Sequence, residues 1–214
     1  MQATGRQDCP PRRPATDKKT GMIDNSLILV KNKLNEYFRE KNDLDKNKAI
    51  LSNMINQDGG IAVKGQNHVV ISLVNVEHET VISTYNRYVP TGENKVGVVN
   101  PPVYVNIYVL IMCYFEGENY SEGLKYLSYV INFFQANCVF TKHNMPGLDK
   151  GVDKLTFELC SIDPSELSYM LSMTGAKYLP SAYYKVRMFT FQNYAIQSEV
   201  SVVSNGDNPA SLKN

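Results

Sequence analysis

Hydrophobic positions along this chain switch between two periods. Leu27, Val30, Leu34 and Phe38 recur at helical spacing, with Lys31, Lys33, Asn35 and Glu36 on the other faces. That pattern predicts an amphipathic helix opening at Met22, with Asp24, Asn25 and Ser26 as N-cap candidates and the polar run 39–48 as its end. Residues 49–55 read as a short strand, followed by turn chemistry at Asp58-Gly-Gly60 and Lys64-Gly-Gln-Asn67. The next strand spans 68–76. Strict alternation sets Val69, Ile71 and Leu73 on one face and Val70, Ser72, Val74 and Val76 on the other, and the two strands are expected to pair as a hairpin. Residues 79–102 contain Pro90, Gly92, Gly97, Pro101 and Pro102 and read as one long loop. Loops of that length inside a compact domain are usually functional, so this one is the first candidate for contact with a partner.

The strongest apolar run is 103–115, in which only Asn106 is strongly polar. A bilayer-crossing helix needs ~20 apolar residues, more than this run supplies. Its Val, Ile and Tyr content predicts a strand buried on both faces at the centre of a sheet. A helix follows over 120–135, with Leu124, Leu127, Val130, Ile131 and Phe134 as its apolar face. After a loop at 141–151, the strand 154–161 alternates Leu155, Phe157 and Leu159 with Thr156, Glu158 and Cys160. Asp163-Pro-Ser-Glu166 starts a third helix, with Asp at the N-cap and Pro at the first helical position, and the helix stops before Gly175. The last strand covers 181–191, with Ala182, Tyr184, Val186 and Met188 facing one way and Lys185 and Arg187 the other. The resulting fold class is α/β (α+β): a single two-layer domain with a mixed sheet of about five strands and about three helices.

Composition adjusts the ends of this picture. The net charge is +1, but residues 1–21 hold Arg6, Arg12, Arg13, Lys18 and Lys19 against Asp8 and Asp17. That segment therefore carries +3 and the remainder −2. The folded part lacks the clustered Lys/Arg that nucleic acid or a membrane surface would need, so neither is expected as a partner. Residues 1–21 are polar and proline-rich and contain no apolar signal-peptide core, so a disordered N-terminal extension is expected. Met22 is read as the natural start, with the upstream piece a mis-assigned start or a flexible arm. The domain is expected over 22–192, and 193–214 as a flexible or partner-ordered tail. Cys9, Cys113, Cys138 and Cys160 show no CxxC spacing and read as buried, reduced thiols of a cytosolic protein.

Candidate chemistry is sparse. His68, His78 and His143 fall at a strand start, a strand end and a loop. Glu77-His78-Glu79 cannot converge on a cation, because neighbouring strand residues point to opposite faces. No phosphate-loop, dinucleotide, HExxH or GxSxG motif is present, and Asp58-Gly-Gly60 is turn glycine. No catalytic, cofactor-binding or metal-binding residue is assigned, and no cofactor is expected; the chain does not read as an enzyme. An enzyme would require His78, His143 and acidic residues to gather in one pocket. The 14 Tyr, with 8 Phe and no Trp, are more informative. Most must pack in the core or at its rim, but Tyr is also enriched at protein interfaces.

Four blocks in register resemble a known family. They are Met22-Ile-Asp-Asn-Ser-Leu27 with Asn35-Glu-Tyr-Phe38; Val70-Ile-Ser-Leu-Val-Asn-Val-Glu77, similar to the family's L-V-N-x-E strand; Asn100-Pro-Pro-Val103 through the apolar run into residues 120–134; and Lys154-Leu-Thr-Phe-Glu-Leu159 with Gly175-Ala-Lys-Tyr-Leu-Pro-Ser181 and Tyr184-Lys-Val-Arg187. The family is the terminator or cap family of contractile injection systems and related phage-tail-like particles, formerly a domain of unknown function. The resemblance covers 22–191 and implies a structural subunit: a homo-hexameric ring that ends the inner tube and the sheath away from the baseplate. Its implied partners are the sheath and tube proteins of the same particle, assembled in the cytoplasm without membrane insertion. The alternative is a non-catalytic adaptor that attaches another component to such a particle. Residues 1–21 and the segment after Phe191 lie outside the resemblance.

Overall fold

A computed structural model describes residues 21–42, 46–65, 67–80, 88–92, 95–149, 151–173, 175, 177–191 and 198–201. The elements in chain order are α1 (Met22–Asn42), β1 (Ala49–Leu51), β2 (His68–His78), β3 (Tyr88–Gly92), β4 (Lys95–Val98), β5 (Val103–Tyr114), α2 (Tyr120–Ala136), β6 (Val139–Thr141), β7 (Lys154–Leu159), α3 (Pro164–Met173), β8 (Ser181–Phe191) and β9 (Ser198–Ser201). Six strands form the main mixed sheet in the order β1-β2-β5-β8-β7-β6, and a second, three-stranded sheet has the order β3-β4-β9.

β5 lies inside the sheet, paired antiparallel with β2 and β8, as its composition requires. Its odd positions Val105, Ile107, Val109, Ile111 and Cys113 join the main core with Leu27, Val30, Leu34 and Phe38 of α1. From α2, Tyr126, Val130, Phe133 and Phe134 meet the same core. Aromatic rings fill the space between α2 and the far strands: Phe134 stacks on Phe157 at 4.5 Å between centroids and meets Tyr184 at 4.7 Å. Gly123 allows α2 to sit directly on Phe115, since a Cβ there would lie 3.1 Å from the ring. The even positions Leu110 and Met112 face the opposite side, where Met54, Val63, Val70 and Leu171 make a smaller core under α3 and the 53–63 excursion.

Several expectations are corrected. β1 and β2 are parallel rather than a hairpin, with Ala49 opposite Val69 and Leu51 opposite Ile71. The strand expected over 49–55 ends at Leu51, and only an isolated bridge joins Ile55 to Ile61. Sixteen residues between two parallel strands suffice for the 53–63 excursion to cross the sheet end, which turn residues alone could not reveal. The outer side of β1 is closed by the buried Asn35: its amide nitrogen donates to Ala49 O (2.9 Å) and its oxygen accepts from Ala49 N–H (2.8 Å).

Residues 79–102 are not one loop, because β3 and β4 form an antiparallel hairpin inside them. Ser198–Ser201, placed in the expected tail, adds to β4 as a third strand. β6 is an additional edge strand, so the main sheet has six strands and not five. Asp24, Asn25 and Ser26 lie inside α1, which already begins at Met22, and Ser26 Oγ donates back to Met22 O. In α2 the buried face is Gly123, Tyr126, Val130, Phe133 and Phe134, whereas Leu124 and Ile131 are exposed.

Two β-bulges explain the remaining differences. One between Leu73 and Asn75 brings Val76 opposite Ile107, so that Val76 changes to the side of Val69 and Ile71. The other gives β8 an extra residue, since Val105 pairs with Phe189 and Ile107 with Val186, and so brings Phe189 into the core beside Tyr184 and Val186; the side chain of Met188, expected on that face, lies outside those described. Residues 1–20, with Cys9, lie outside the described residues.

Candidate assembly interface

No group of His, Cys, Asp and Glu among the described residues is arranged to hold a metal ion. His68 and His78 are the first and last residues of β2, and His143 follows β6 at the opposite edge of the sheet. The cluster that an enzyme would require is therefore not formed by these residues. Cys113 is buried, and burial pushes its thiol up to about 12. Contrary to expectation, Cys138 is exposed and Cys160 only half-buried.

The notable surface is the part of the second sheet face that α3 leaves uncovered. Register aligns Glu158 of β7, Lys185 of β8, Tyr108 of β5 and Asn75 of β2 in one row across four strands. Tyr108 Oη donates to Glu77 Oε2 at 2.6 Å, and Lys185 Nζ donates to the same oxygen at 3.1 Å. Lys185 Nζ also lies 5.3 Å above the Tyr108 ring, while Tyr183 stacks on that ring at 5.5 Å and 15°. Arg187 Nε pairs with Glu158 Oε2 at 3.3 Å, and buried Asn106 donates to Glu79 Oε2 at 2.8 Å.

The electrostatics follow from these bonds. Glu77 is held below the usual carboxylate range, first by the Tyr108 hydroxyl and then by Lys185. Donation to that carboxylate raises the Tyr108 hydroxyl, and the ammonium of Lys185 is stabilised by Tyr108 and by Glu77. Burial pushes Tyr183 up to about 12. The group is thus a fixed array of stacked phenols and paired charges, with no nucleophile set against a base. Sequence alternation had turned Lys185 and Arg187 to this face, but their pairing with Glu77, Tyr108 and Glu158 depends on strand order and on the β2 bulge.

Apolar side chains remain exposed around this face: Met173 at 83%, Tyr169 at 73% and Tyr178 at 72%. Tyr169 and Met173 are one turn apart on α3, and Met173, Met170, Leu73 and Tyr183 line a depression of about 480 Å³. Gly175, at φ +67°, ends this segment in the left-handed conformation that suits glycine. At the other side of the sheet edge, a groove of about 790 Å³ runs between the start of α1 and β2. Tyr and Arg on a flat face, with exposed Met and Leu at its margin, are the composition of a protein-binding surface. No helix among the described residues is long and apolar enough to cross a membrane.

Comparison with known proteins agrees with this architecture. Residues 29–205 match the family model described as the Pvc16 N-terminal domain. One similar solved structure is the sheath/tube terminator of PVC, an extracellular contractile injection system, in its extended state. The two align with a TM-score of 0.55 at 16% identity, over 87% of this chain and 65% of that one. A second is the tube-terminating cap of the anti-feeding prophage, with a TM-score of 0.53 at 13% identity over 88% of this chain and 61% of that one. The chain thus spans slightly under two thirds of the length of each structure, and the likeness is one of fold. No curated protein matches the sequence.

Proposed function

This chain belongs to the Pvc16 N-terminal domain family, and on that premise we propose that it is a structural terminator of a contractile injection particle. In this reading it forms a homo-hexameric ring at the end distal to the baseplate, where it meets the last layer of inner tube and of sheath. It assembles in the cytoplasm as part of the particle and performs no catalysis. The observation that carries the reading is the shared fold: nearly nine tenths of the chain superposes on a sheath/tube terminator and on a tube-terminating cap.

The surfaces described above suit such a role. A closed ring needs two different patches on each subunit, so that each copy meets its neighbour head to tail. The Tyr108–Lys185 face and the separate β3-β4-β9 sheet are two such patches, on different parts of the domain. The β3-β4 hairpin lies within the segment that the sequence marks for partner contact. Residues 1–21 are proposed to be dispensable for assembly.

Light scattering and negative-stain imaging of the purified chain, alone and with its sheath and tube proteins, test the proposal. Closed hexameric rings are expected, at least in the presence of those partners. A chain that remains monomeric with both partners present, yet binds one particle component, would support the adaptor instead.

A further inference from the structure

The outer edge of the main sheet has two halves that differ in how they are finished. β1 covers β2 only from Val69 to Ile71, and its own outer side is sealed by Asn35. Beyond Ile71, β2 continues to His78 with β5 on one side and no strand on the other among the described residues. Val69 N–H donates to Lys48 O and Ser52 N–H to Ile71 O, so odd positions before the bulge point outward. Past the bulge Glu79 N–H donates to Tyr104 O, towards β5. The backbone groups of Leu73, Val76 and His78 therefore face the open side. Among the described residues a side chain covers part of this edge: Asn75 Oδ1 accepts Val76 N–H at 2.9 Å.

The groove of about 790 Å³ occupies the place that β1 would fill if it continued past Leu51. Its floor is apolar, with Met22, Ile23, Leu27, Leu73 and Phe191 among its lining, and Val76 is exposed on the same face of the sheet. The opposite face of this edge carries two carboxylates against one cation: Glu77, half-exposed and paired with Lys185, and Glu79, which follows the strand and accepts from Asn106; Asp24 lines the groove itself.

We infer that this edge receives an extended segment of a neighbouring protein, which adds to β2 beside Leu73–His78 and continues the line of β1. The segment is apolar at alternate positions, which enter the groove, and basic at the intervening ones, which meet Glu77 and Glu79. Main-chain bonds give such an addition its affinity and the alternating side chains its selectivity. The Asn75 side chain leaves Val76 N–H when the incoming carbonyl replaces it. The inference takes from the terminator reading only the source of the strand, a component of the same particle.

The test uses the full chain and three labelled seven-residue peptides: one alternating Val and Lys, one with the same composition but its valines clustered, and one alternating Val and Glu. Fluorescence anisotropy should give the alternating Val/Lys peptide the tightest binding, by about tenfold or more. Amide exchange should slow at Leu73, Val76 and His78 on binding. Val76→Pro should remove that preference, and Leu73→Asp, at an exposed position, should do so even where the proline variant fails to fold. Equal binding of the three peptides, absence of binding, or protection elsewhere in the chain would each overturn the inference. Rings that form with sheath and tube despite Leu73→Asp would also overturn it while leaving the terminator reading intact. Peptide binding without any ring formation would overturn that reading and leave this one standing.

Discussion

The two faces of the main sheet are built from the same strands and finished differently. On one face, odd positions of β5 meet α1 and α2 in a continuous core, where Phe134, Phe157 and Tyr184 interlock. On the other, Leu110 and Met112 are covered by α3 and the 53–63 excursion, and then the cover stops. Past that line the same strands present Tyr108, Lys185 and Glu77 as bonded surface groups. The difference separates two jobs: the first face specifies the fold, and the uncovered half of the second is available to other molecules. A monomer whose two faces were equally committed to its own core would leave little sheet for an assembly.

Substitutions on the two faces should therefore differ in size. Phe134→Ala removes a ring packed against two others in the main core and should cost about 3–5 kcal/mol, read from urea unfolding. Leu110→Ala, in the smaller core, should cost about 2–3 kcal/mol, because α3 and the excursion can settle into part of the space. An equal loss for both would erase the distinction between the two cores. Asn35→Ala leaves both backbone groups of Ala49 without their partner and should cost about 1–3 kcal/mol. The smallest stability effect is expected for Tyr108→Phe, on the open face.

Tyr108→Phe instead changes a titration. Loss of the hydroxyl should raise the pKa of Glu77, measured by NMR of its side-chain carboxyl carbon. Because folding lowers that pKa, the contribution of Glu77 to stability is complete above the ordinary carboxylate value of 4.5 and is lost as pH falls through the lowered one. The variant should narrow that acid window. An unchanged Glu77 titration would mean that Lys185 alone sets it.

How far the sequence could be read depended on whether its signal was local. The α1 stripe of Leu27, Val30, Leu34 and Phe38 and the β5 run depend on neighbours in the chain, and both are found as expected. Pro164 and Gly175 likewise mark the limits of α3 by their own backbone preferences. The parallel pairing of β1 could not be read, since three residues carry no orientation. Bulges at Leu73/Asn75 and Val105/Ile107 shift the faces of β2 and β8 without any Gly to announce them. β3, β4 and β9 are short strands joined across about a hundred residues, a pairing that no local pattern records. The Glu77–Tyr108–Lys185 group spans three strands for the same reason: its members were visible individually, and only the strand order unites them.

Four separated blocks carry the family resemblance, and the family model matches residues 29–205. That span includes β9 (Ser198–Ser201). The terminator role itself makes a claim about length. Particles purified from cells lacking this chain should be imaged and their tube and sheath lengths compared with those of the parent. The account predicts a broad length distribution or sheaths that fail to hold their ends, restored by the wild-type chain. Particles of unchanged length and stability would contradict it.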